Sequence, residues 1–337
     1  MDRRQWLAGA AAAAAGGLWG TPALAQPAQP AQLAAAASSW PRQSIKWLVP
    51  YPPGGGTDVL ARTVAEAMRP ALGQAIVIEN KPGASTNIAA HQVATARPDG
   101  YTVMSADNAV LAFNEHLFRK LPFEPARDFS YIGGISRFPL VLVVNPAFPV
   151  QTVAQLLERA QAQPGSIHYA SPGNGSPHHL AMELFKQRTG VQLVHVPYKG
   201  AAPAVADVMG GQVPCMFLDL AAGLPLMQTG KVRPLASGSA QRLASLPNLP
   251  TLAEVGVSGA EVYAFQGVLG PAGMPPAVVE RLNAELNRAL ASPAVVLRLK
   301  ELGMDSLAGS PTQFYTQARE EARRWGEIIQ RAGVQLD

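Results

Sequence analysis

The sequence predicts an α/β protein of two similar units, each a mainly parallel sheet with helices on both faces. Runs of strand-forming residues alternate with runs of helical spacing, and this alternation is typical of parallel sheets covered by helices. The pattern restarts near residue 139, and each unit places a glycine-rich turn between a strand and a helix. A chain of 337 residues also has room for two domains, at roughly 100–200 residues per domain.

The N-terminus has the features of a cleavable export signal. Arg3 and Arg4 precede an apolar stretch, and the run Ala-Leu-Ala at 23–25 matches the small-residue cleavage site of signal peptides. We therefore predict a signal peptide at 1–25, a flexible tether at 26–40 and a monomeric protein in the periplasm. The Arg-Arg pair is compatible with the general secretory and the twin-arginine routes, so the route stays open.

Composition excludes several classes of function. The net charge is +4, but the Lys and Arg residues are scattered singly, so the chain lacks the basic patch of a nucleic-acid-binding protein. No run of about 18 uncharged apolar residues follows the signal, so the mature chain is not expected to insert into a membrane. Cys215 is the only cysteine, which rules out an internal disulfide and indicates a small buried side chain.

Strands and helices are expected to alternate along both units. In the first unit the predicted strands are 45–50, 75–79 and 101–105, and the predicted helices are 59–72 and 88–96. In the second unit the predicted strands are 140–144, 167–171, 191–196, 213–218 and 232–237, and the predicted helices are 153–162, 177–189 and 201–209. A strand at 262–269 and two amphipathic helices, from 275 and from 314 onward, complete the chain.

The C-terminal segment, from the strand at 262–269 to the end of the chain, determines the predicted domain boundaries. A helical tail without its own sheet must pack on a core that already exists, and we expect it to return to the first unit. This assigns 41–138 plus 264–337 to lobe I and 139–263 to lobe II. Two crossings between the lobes, near 136–142 and 260–267, would then form a hinge.

The stretch from Tyr51 to Asp58 predicts an anion-binding turn at the end of the first strand. Consecutive glycines let backbone N–H groups converge on one oxygen, and the following helix adds positive potential at its N-terminus. Asp58 would repel a carboxylate, so it is expected to stabilise the turn or the helix start unless the ligand carries an ammonium group. The candidate ligand-binding residues here are Tyr51, Pro53, Gly54, Gly55, Gly56, Thr57 and Asp58.

A second glycine turn, at 171–176, repeats this logic in lobe II. Ser176 is placed as a helix N-cap, and Pro177 stands at the first helical position. The candidates here are Ser171, Gly173, Asn174, Gly175, Ser176 and, on the helix behind them, His178. Ligands of open α/β sheets bind beyond the carboxyl ends of strands, where both turns lie. We therefore expect N–H groups of Gly55, Gly56, Gly175 and Ser176 to hold an anion between the lobes.

The turns favour a carboxylate over a phosphate. A phosphate loop needs the pattern G-x-x-x-x-G-K-[ST], and no lysine follows Gly56 or Gly175. Asn108, after the third strand of lobe I, is expected to add an amide at the cleft edge. Tyr198 and Lys199, after a strand of lobe II, would add a hydroxyl and a positive charge.

No cofactor or metal is predicted. His178 and His179 are adjacent in the first turn of a helix, so they point about 100° apart. The paired histidines of a zinc helix are instead four residues apart and share one face.

Five ordered motifs, spread from about residue 44 to the end, resemble the extracytoplasmic receptors of tripartite tricarboxylate transporters, the Bug family. They are VPYPPGGGTD at 49–58, NKPGA at 80–84, RPDGYT at 97–102, HVPYKG at 195–200 and PNLPTLAE at 247–254. The resemblance implies a two-lobed Venus-flytrap fold. It also implies a periplasmic receptor that delivers a small mono-, di- or tricarboxylate to a two-component membrane permease with one large and one small subunit.

The resemblance implies specific site residues as well. It places the ligand carboxylate between the two glycine turns, with Tyr198 and Lys199 in the matching Tyr-Lys-Gly stretch and Asp219 at the cleft edge. Two departures bear on the choice of ligand. The chain has Ser-Thr-Asn-Ile at 85–88 where the family continues with glycines, and Phe265 stands where Trp is frequent.

Two other functions stay open from the sequence. An exported hydrolase would use Ser176 or His178 in the same cleft, although the nucleophile pattern G-x-S-x-G is absent there. A carboxylate sensor would dock its closed form on a signalling protein instead of a permease. The primary expectation is a binding protein without catalytic activity.

Overall fold

The computed structural model describes residues 40–337, so the predicted signal peptide and the predicted tether up to residue 39 lie outside the described residues. The strands are β1 (Ile45–Val49), β2 (Ile76–Asn80), β3 (Thr102–Asp107), β4 (Phe129–Val144), β5 (His168–Ser171), β6 (Val194–Pro197), β7 (Cys215–Asp219), β8 (Arg233–Ser237), β9 (Tyr263–Pro271) and β10 (Asp305–Ser306). The helices are α1 (Gly56–Leu72), α2 (Asn87–Ala94), α3 (Asn114–Leu117), α4 (Val153–Ala162), α5 (Pro177–Thr189), α6 (Ala201–Met209), α7 (Leu220–Gln228), α8 (Pro276–Leu290), α9 (Pro293–Glu301) and α10 (Pro311–Ala332).

The strands form one sheet in the order β2-β1-β3-β9-β4-β7-β5-β6, and β8 and β10 also pair with β4. As predicted, β1 is parallel to β2 and β3, and β5 is parallel to β6 and β7. The sheet is nevertheless mixed, because β9 is antiparallel to β3 and β4, and β4 is antiparallel to β7 and β8. The fold is therefore α/β as expected, with more antiparallel pairing than the strand-helix alternation predicts.

The two predicted crossings lie side by side. Strand β4 pairs with β9 from Phe129 to Pro139 and then with β7 from Leu140 to Val144. Strand β9 begins opposite Pro139, at Tyr263. We call the part of the sheet with β1, β2, β3, β9 and β10 half-sheet I, and the part with β5, β6, β7 and β8 half-sheet II; β4 belongs to both.

The strand directions on either side of this crossing bring two sets of loops together. Strand β9 starts at the crossing and runs away from it, so β3, its antiparallel partner, runs toward it. Strand β4 leaves the crossing into half-sheet II, so its antiparallel partner β7 also runs back toward it. The carboxyl ends of β1, β2 and β3 therefore face those of β5, β6 and β7, and the loops after these strands meet in the space that we call the cleft.

Half-sheet I is covered on both faces because its strands alternate side chains between two apolar cores. Trp47 and Val49 of β1 pack with α1, α8 and α9, whereas Leu48 packs with α2 and with Met104 of β3. These side chains are buried. Removing them from water is the main favourable term that holds the β1–α1 junction in place.

Helix α10 contacts both half-sheets. Phe314, in its first turns, lies in the core of half-sheet I, as the predicted return of the tail to lobe I requires. Trp325, farther along, lies in the core of half-sheet II and packs edge-on against Phe113 at 5.0 Å between ring centres. A helix of 22 residues is about 33 Å long, so its apolar stripe extends past one half-sheet onto the other. The predicted domain boundaries stay a prediction.

Several elements are not predicted from the sequence. Helix α7 contains Gly223 and Pro225, which hide its periodicity, and α9 and α3 are short. The first part of β4, from Phe129 to Pro139, includes glycines and polar residues that weaken its strand pattern.

Candidate functional site

The first glycine turn joins β1 to α1 and is shaped by the side chain of Asp58. This buried carboxylate accepts hydrogen bonds from the N–H of Gly54 (2.9 Å), from Arg62 and from Asn80 (2.9 Å). Burial alone would raise the pKa of Asp58, but the bonds from Arg62, Gly54 and Asn80 hold it below its usual value. Asp58 therefore stabilises the turn, the structural role that the sequence suggests for it.

The start of α1 leaves backbone donors available at the cleft. Gly55 is the N-cap and supplies no side-chain cap. No acceptor in residues 40–337 is hydrogen-bonded to the N–H groups of Gly55, Gly56 or Thr57. Pro53, Gly54 and Gly55 are exposed, and Gly56 and Thr57 are half-buried. This turn is therefore suited to bind an anion through N–H groups and the helix N-terminus.

Tyr51, at the beginning of the first turn, is tied to the end of β3. Its hydroxyl donates a hydrogen bond to the carboxyl group of Asp107, and its carbonyl accepts one from Asn80 (2.9 Å). Burial is the largest cause of the raised pKa of both Tyr51 and Asp107. The Tyr51 hydroxyl is already bonded, so its role in this structure is to hold the first turn against the end of β3.

Asn108 does not present its amide to the cleft, which corrects the prediction for this residue. Its side chain is fully buried, and its Oδ1 accepts a hydrogen bond from the N–H of Phe265 at 2.7 Å. Its Nδ2 donates to the carbonyl of Tyr263 at 3.3 Å. The amide satisfies backbone groups of β9 next to the crossing, because Asn108 directly follows β3, the strand that pairs with β9.

The second glycine turn, between β5 and α5, is held by bonds within itself. The Ser171 hydroxyl accepts a hydrogen bond from the N–H of Gly173 at 3.2 Å, and the N–H of Ser176 donates to the Gly173 carbonyl at 3.3 Å. The N–H of Gly175 donates to Nδ1 of His179 at 3.1 Å. The prediction that the N–H groups of Gly175 and Ser176 bind the anion is therefore not supported, because both are already used.

Other donors remain at this turn. No hydrogen-bond acceptor in the described part of the chain is paired with the N–H groups of Asn174 or His178. Asn174 is exposed, and His178 stands at the start of α5 behind the N-cap Ser176. The second turn can still offer N–H groups to an anion, but from residues next to those predicted.

A stack of three rings lies beneath the second turn. His179 and His195 stack at 3.9 Å between ring centres, and Tyr169 stacks on His195 at 4.9 Å. Burial lowers the pKa of His179 to about 4 and that of His195 to about 3. Nε2 of His195 lies 2.6 Å from the Ser171 hydroxyl, so the stack supports the turn through neutral imidazoles. The sequence shows these residues but not their contact, since they come from three elements.

The hydroxyl of Tyr198 is already bonded within half-sheet II, and the ligand-binding role that the family resemblance implies for Tyr198 and Lys199 stays a prediction. The Tyr198 hydroxyl donates to the Asp207 carboxylate of α6 at 2.7 Å. Burial and then this bond raise the pKa of Tyr198 to about 12. Lys199 is exposed and makes no hydrogen bond or ion pair within residues 40–337. The hydroxyl of Tyr198 therefore makes a structural contact, whereas the Lys199 ammonium is exposed and has no fixed partner among these residues.

Asp219 ends β7 and caps α7. Its Oδ1 accepts a hydrogen bond from the N–H of Ala222 at 2.9 Å, and its Oδ2 lies 3.4 Å from Nε2 of His178. Burial would raise the pKa of Asp219, but the imidazole of His178 and the N–H of Ala222 hold it below its usual value. The contact joins the starts of α5 and α7.

The start of α7 also reaches half-sheet I. A Cβ atom built on Gly56 would lie 3.8 Å from Cβ of Ala221 and 3.7 Å from Cε of Met304. The N-termini of α1, α5 and α7 therefore meet in the cleft, through the Gly56–Ala221 contact on one side and the His178–Asp219 contact on the other. Three helix N-termini in one place form a region of positive potential for an anion. The third of them is missed by sequence reasoning, because α7 is not predicted.

The loop after β2 adopts an unusual backbone. Ala84, Ser85 and Thr86 have φ values of 46°, 49° and 76°, in the left-handed region that favours glycine. The Ser85 carbonyl accepts a hydrogen bond from the buried amide of Asn114 at 2.8 Å. At Ser85, where the family resemblance leads us to expect a glycine, the chain therefore follows a path suited to glycine.

The arrangement does not resemble a hydrolytic site. The Ser176 hydroxyl accepts a hydrogen bond from the N–H of His179 at 3.3 Å, as an N-cap does, and it makes no hydrogen bond to the ring of His178 within residues 40–337. No group of three or more His, Cys, Asp or Glu side chains among residues 40–337 is arranged to hold a metal ion. Within the same residues, no helix is long and apolar enough to cross a membrane.

Comparison with known proteins identifies the family. A profile described as the tripartite tricarboxylate transporter family receptor matches residues 60–334. The chain belongs to this family. BugT of Bordetella pertussis, a relative of this receptor, is 34% identical over 302 residues, which cover 89% of this chain and 93% of BugT.

Solved structures of similar receptors share the fold. Rpa4515 of R. palustris, solved with adipate, is 38% identical with a TM-score of 0.83, over 87% of this chain and 98% of that protein. MatC of Rhodopseudomonas palustris, solved with bound malate, is 30% identical with a TM-score of 0.80, over 86% of this chain and 100% of that protein. The two-lobed periplasmic binding-protein fold expected from the sequence is thereby confirmed.

Proposed function

We propose that this receptor is a periplasmic solute-binding protein that captures a small carboxylate in the cleft and delivers it to a two-component membrane permease. The observation that carries the proposal is the meeting of three helix N-termini, where Gly55, Gly56 and Thr57 have unpaired N–H groups within the described chain. Such donors can hold a carboxylate without the help of a lysine. Relatives that were solved with adipate and with malate support the same ligand class.

Capture involves closure of the two lobes about the crossing. The ligand contacts donors on half-sheet I, at the first turn, and donors on half-sheet II, at the starts of α5 and α7. Because it meets both sets only in the closed state, binding shifts the population toward that state. The receptor works without chemistry of its own. The predicted signal peptide directs its export and is removed near Gln26.

Removal of a single backbone donor tests the site. Gly56 is the first residue of α1, where proline is well tolerated, and Gly55 before it has an extended backbone (φ −76°, ψ 165°) that is compatible with a following proline. The Gly56→Pro variant removes this N–H and adds the pyrrolidine ring, whereas Gly56→Ala keeps the N–H and places its Cβ at ordinary contact distances. Both variants therefore add a side chain at the same position, and only Gly56→Pro removes the donor.

Calorimetry of the mature protein against adipate, malate, succinate and citrate supplies the readout. A hydrogen bond to a charged group is worth about 1.5–3 kcal/mol, so Gly56→Pro is expected to weaken carboxylate binding by roughly 10- to 150-fold. Gly56→Ala should bind within about twofold of the natural chain. Equal affinity of Gly56→Pro and the natural chain would show that the N–H of Gly56, and with it the first turn, does not bind the ligand.

Uptake by cells separates transport from signalling. If the receptor serves a permease, deletion of its gene should abolish uptake of the carboxylate that it binds. The natural gene should restore uptake, and the Gly56→Pro gene should restore it only at high substrate concentration. Normal uptake in the deletion strain would contradict delivery to a permease and favour the sensor alternative.

A further inference from the structure

His178 and Asp219 form a buried pair between the two glycine turns. Asp219 lies two residues before Ala221, which faces Gly56 of the first turn, and His178 lies two residues after Ser176 of the second turn. Nε2 of His178 is 3.4 Å from Oδ2 of Asp219. The other ring nitrogen, Nδ1, is buried and has no hydrogen-bond partner among residues 40–337, although only 9% of the residue is exposed.

The geometry sets the tautomer of the neutral ring. A proton on Nε2 points at the Asp219 carboxylate, so a neutral His178 has a lone pair on Nδ1. A lone pair repels the oxygen of a carboxylate. The protonated ring instead donates from both nitrogens, to Asp219 with Nε2 and to a ligand with Nδ1.

Charge balance favours the protonated ring once a carboxylate enters. Asp219 already brings one buried negative charge to the cleft, and a second buried carboxylate beside it is costly unless a cation accompanies it. The charged groups of the surrounding elements are occupied: Asp58 pairs with Arg62 and Glu183 pairs with Lys186. The ring of His179 is turned to Gly175, and Asp107 bonds to Tyr51.

We propose that His178 takes up a proton when the carboxylate binds and donates its Nδ1–H to the ligand, so that capture is coupled to protonation. This inference rests on the proposed function and assigns His178 as a residue that determines ligand specificity in the same site. No bond breaks other than that of the transferred proton, which comes from the buffer. The coupling to protonation would disfavour ligands that carry an ammonium group, because Asp219 would then pair with the ammonium and His178 would stay neutral.

Calorimetry in two buffers measures the proton directly. The acid from the panel that binds most tightly is titrated at pH 7 in phosphate, which has a small ionisation enthalpy, and in Tris, which has a large one. The difference in binding enthalpy gives the number of protons taken up. We expect uptake of a substantial fraction of one proton, together with a Kd that rises by up to tenfold per pH unit between pH 6 and 8.

Two variants assign the proton to its residue. Asn at position 178 has a neutral amide that can donate near the position of Nδ1, so His178→Asn should bind the acid without proton uptake and with a Kd that does not change between pH 6 and 8. His168→Asn removes an exposed histidine at the start of β5 and should behave as the natural chain does.

Other results would overturn the proposal. Carboxylate binding by the natural chain without proton uptake would refute the coupling and leave the proposed function intact. Binding of an amino dicarboxylate in preference to its unsubstituted parent acid would show that Asp219 pairs with the ammonium group of the ligand instead. Failure of every acid in the panel to bind would refute both proposals. Because His178→Asn could also perturb folding, the NMR signal of the His178 ring in the natural chain, with and without the acid, gives an independent readout. An unchanged signal would count against protonation.

Discussion

The N–H of Gly175 donates a hydrogen bond to Nδ1 of His179, four residues ahead in the same turn and helix. This bond requires a lone pair on Nδ1, so His179 must be neutral to hold the turn. The ring of His179 in turn stacks on His195, which contacts the hydroxyl of Ser171 at 2.6 Å. The second turn therefore depends on an uncharged imidazole at His179, against which the ring of His195 is stacked.

Acid should destabilise the protein through these two histidines. Their pKa values are lowered to about 4 and about 3 in the folded state, whereas the unfolded chain takes up protons near the ordinary value of 6.5. Between these values the unfolded state binds more protons, so the free energy of unfolding falls as pH falls below about 6.5. The expected slope is up to about 1.4 kcal/mol per pH unit for buried His179 and less for partly exposed His195.

Urea unfolding between pH 7 and 5 measures this slope. The double variant His179→Asn with His195→Gln keeps a polar group near Nδ1 of the first ring and near Nε2 of the second, but it cannot be protonated. Its stability should change less with pH than that of the natural chain. Equal slopes for the two proteins would show that other groups control the acid response.

Gly175 should tolerate a side chain poorly for two separable reasons. Its φ of 72° is unfavourable for other residues, and a Cβ there would lie 2.8 Å from Leu117 and 3.0 Å from Leu336. Gly190, which ends α5, has the same φ of 72° but open space around it. Gly190→Ala should cost about 1 kcal/mol from the backbone alone, and Gly175→Ala should cost more, at about 2–3 kcal/mol.

Thermal and urea unfolding of both alanine variants tests the comparison. A cost for Gly175→Ala that is no larger than for Gly190→Ala would show that Leu117 and Leu336 move aside freely. The stability measurement should precede any binding measurement at Gly175, because a bulky residue there perturbs the packing as well as the turn.

Cysteines at positions 56 and 221 should lock the two half-sheets together. The Cβ positions are 3.8 Å apart, which is close to the mean for disulfides. The natural thiol of Cys215 should not interfere, because burial raises its pKa to about 12. We expect the double variant Gly56→Cys with Ala221→Cys to form the disulfide on mild oxidation and then to exchange its carboxylate ligand at least tenfold more slowly.

Stopped-flow measurements before and after addition of a reductant give the two exchange rates on one sample. Reduction should restore fast exchange. If the oxidised protein, with its disulfide shown by mass spectrometry, exchanges ligand as quickly as the reduced one, ligand entry does not require the two half-sheets to separate at this contact.

The loop after β2 offers a gain in stability. Ala84 is exposed and has a φ of 46°, so glycine should relieve strain of about 1–2 kcal/mol there, partly offset by the entropy of glycine in the unfolded chain. Ala84→Gly should therefore stabilise the protein by up to about 1 kcal/mol. Ala272 is also exposed but has no positive φ, so Ala272→Gly should be neutral or destabilising. Thermal unfolding of both variants checks the prediction, which fails if Ala84→Gly is no more stable than the natural chain.

Local patterns were sufficient to predict much of the fold and both turns. The turn at Gly55 is predictable because glycine content, the preceding strand and the following helix lie within a few residues of each other. The structural role of Asp58 is also local, since its partners Gly54 and Arg62 are four residues away on either side. The restart of the pattern near residue 139 predicts two units, and the family motifs identify them as the lobes of a Venus-flytrap fold.

Contacts between distant elements limited the prediction of the site. Asn108 has the right position but turns to β9, 157 residues further along the chain at Phe265. Tyr198 follows its strand as predicted, yet a nearby carboxylate on α6 takes its hydroxyl. The start of α7 beside Gly56 depends on how two half-sheets meet, and no pattern within either stretch reports it.

The side-by-side crossing of β4 and β9 constrains how the molecule can move. A two-stranded ribbon bends readily perpendicular to its face, but its ladder of hydrogen bonds, which includes the pairing of Pro139 with Tyr263, resists sliding of one strand along the other. Bending of the ribbon is therefore a relative motion of the half-sheets that leaves this ladder intact. The loops at the cleft can approach or separate in this way without any change in the register of β4 and β9.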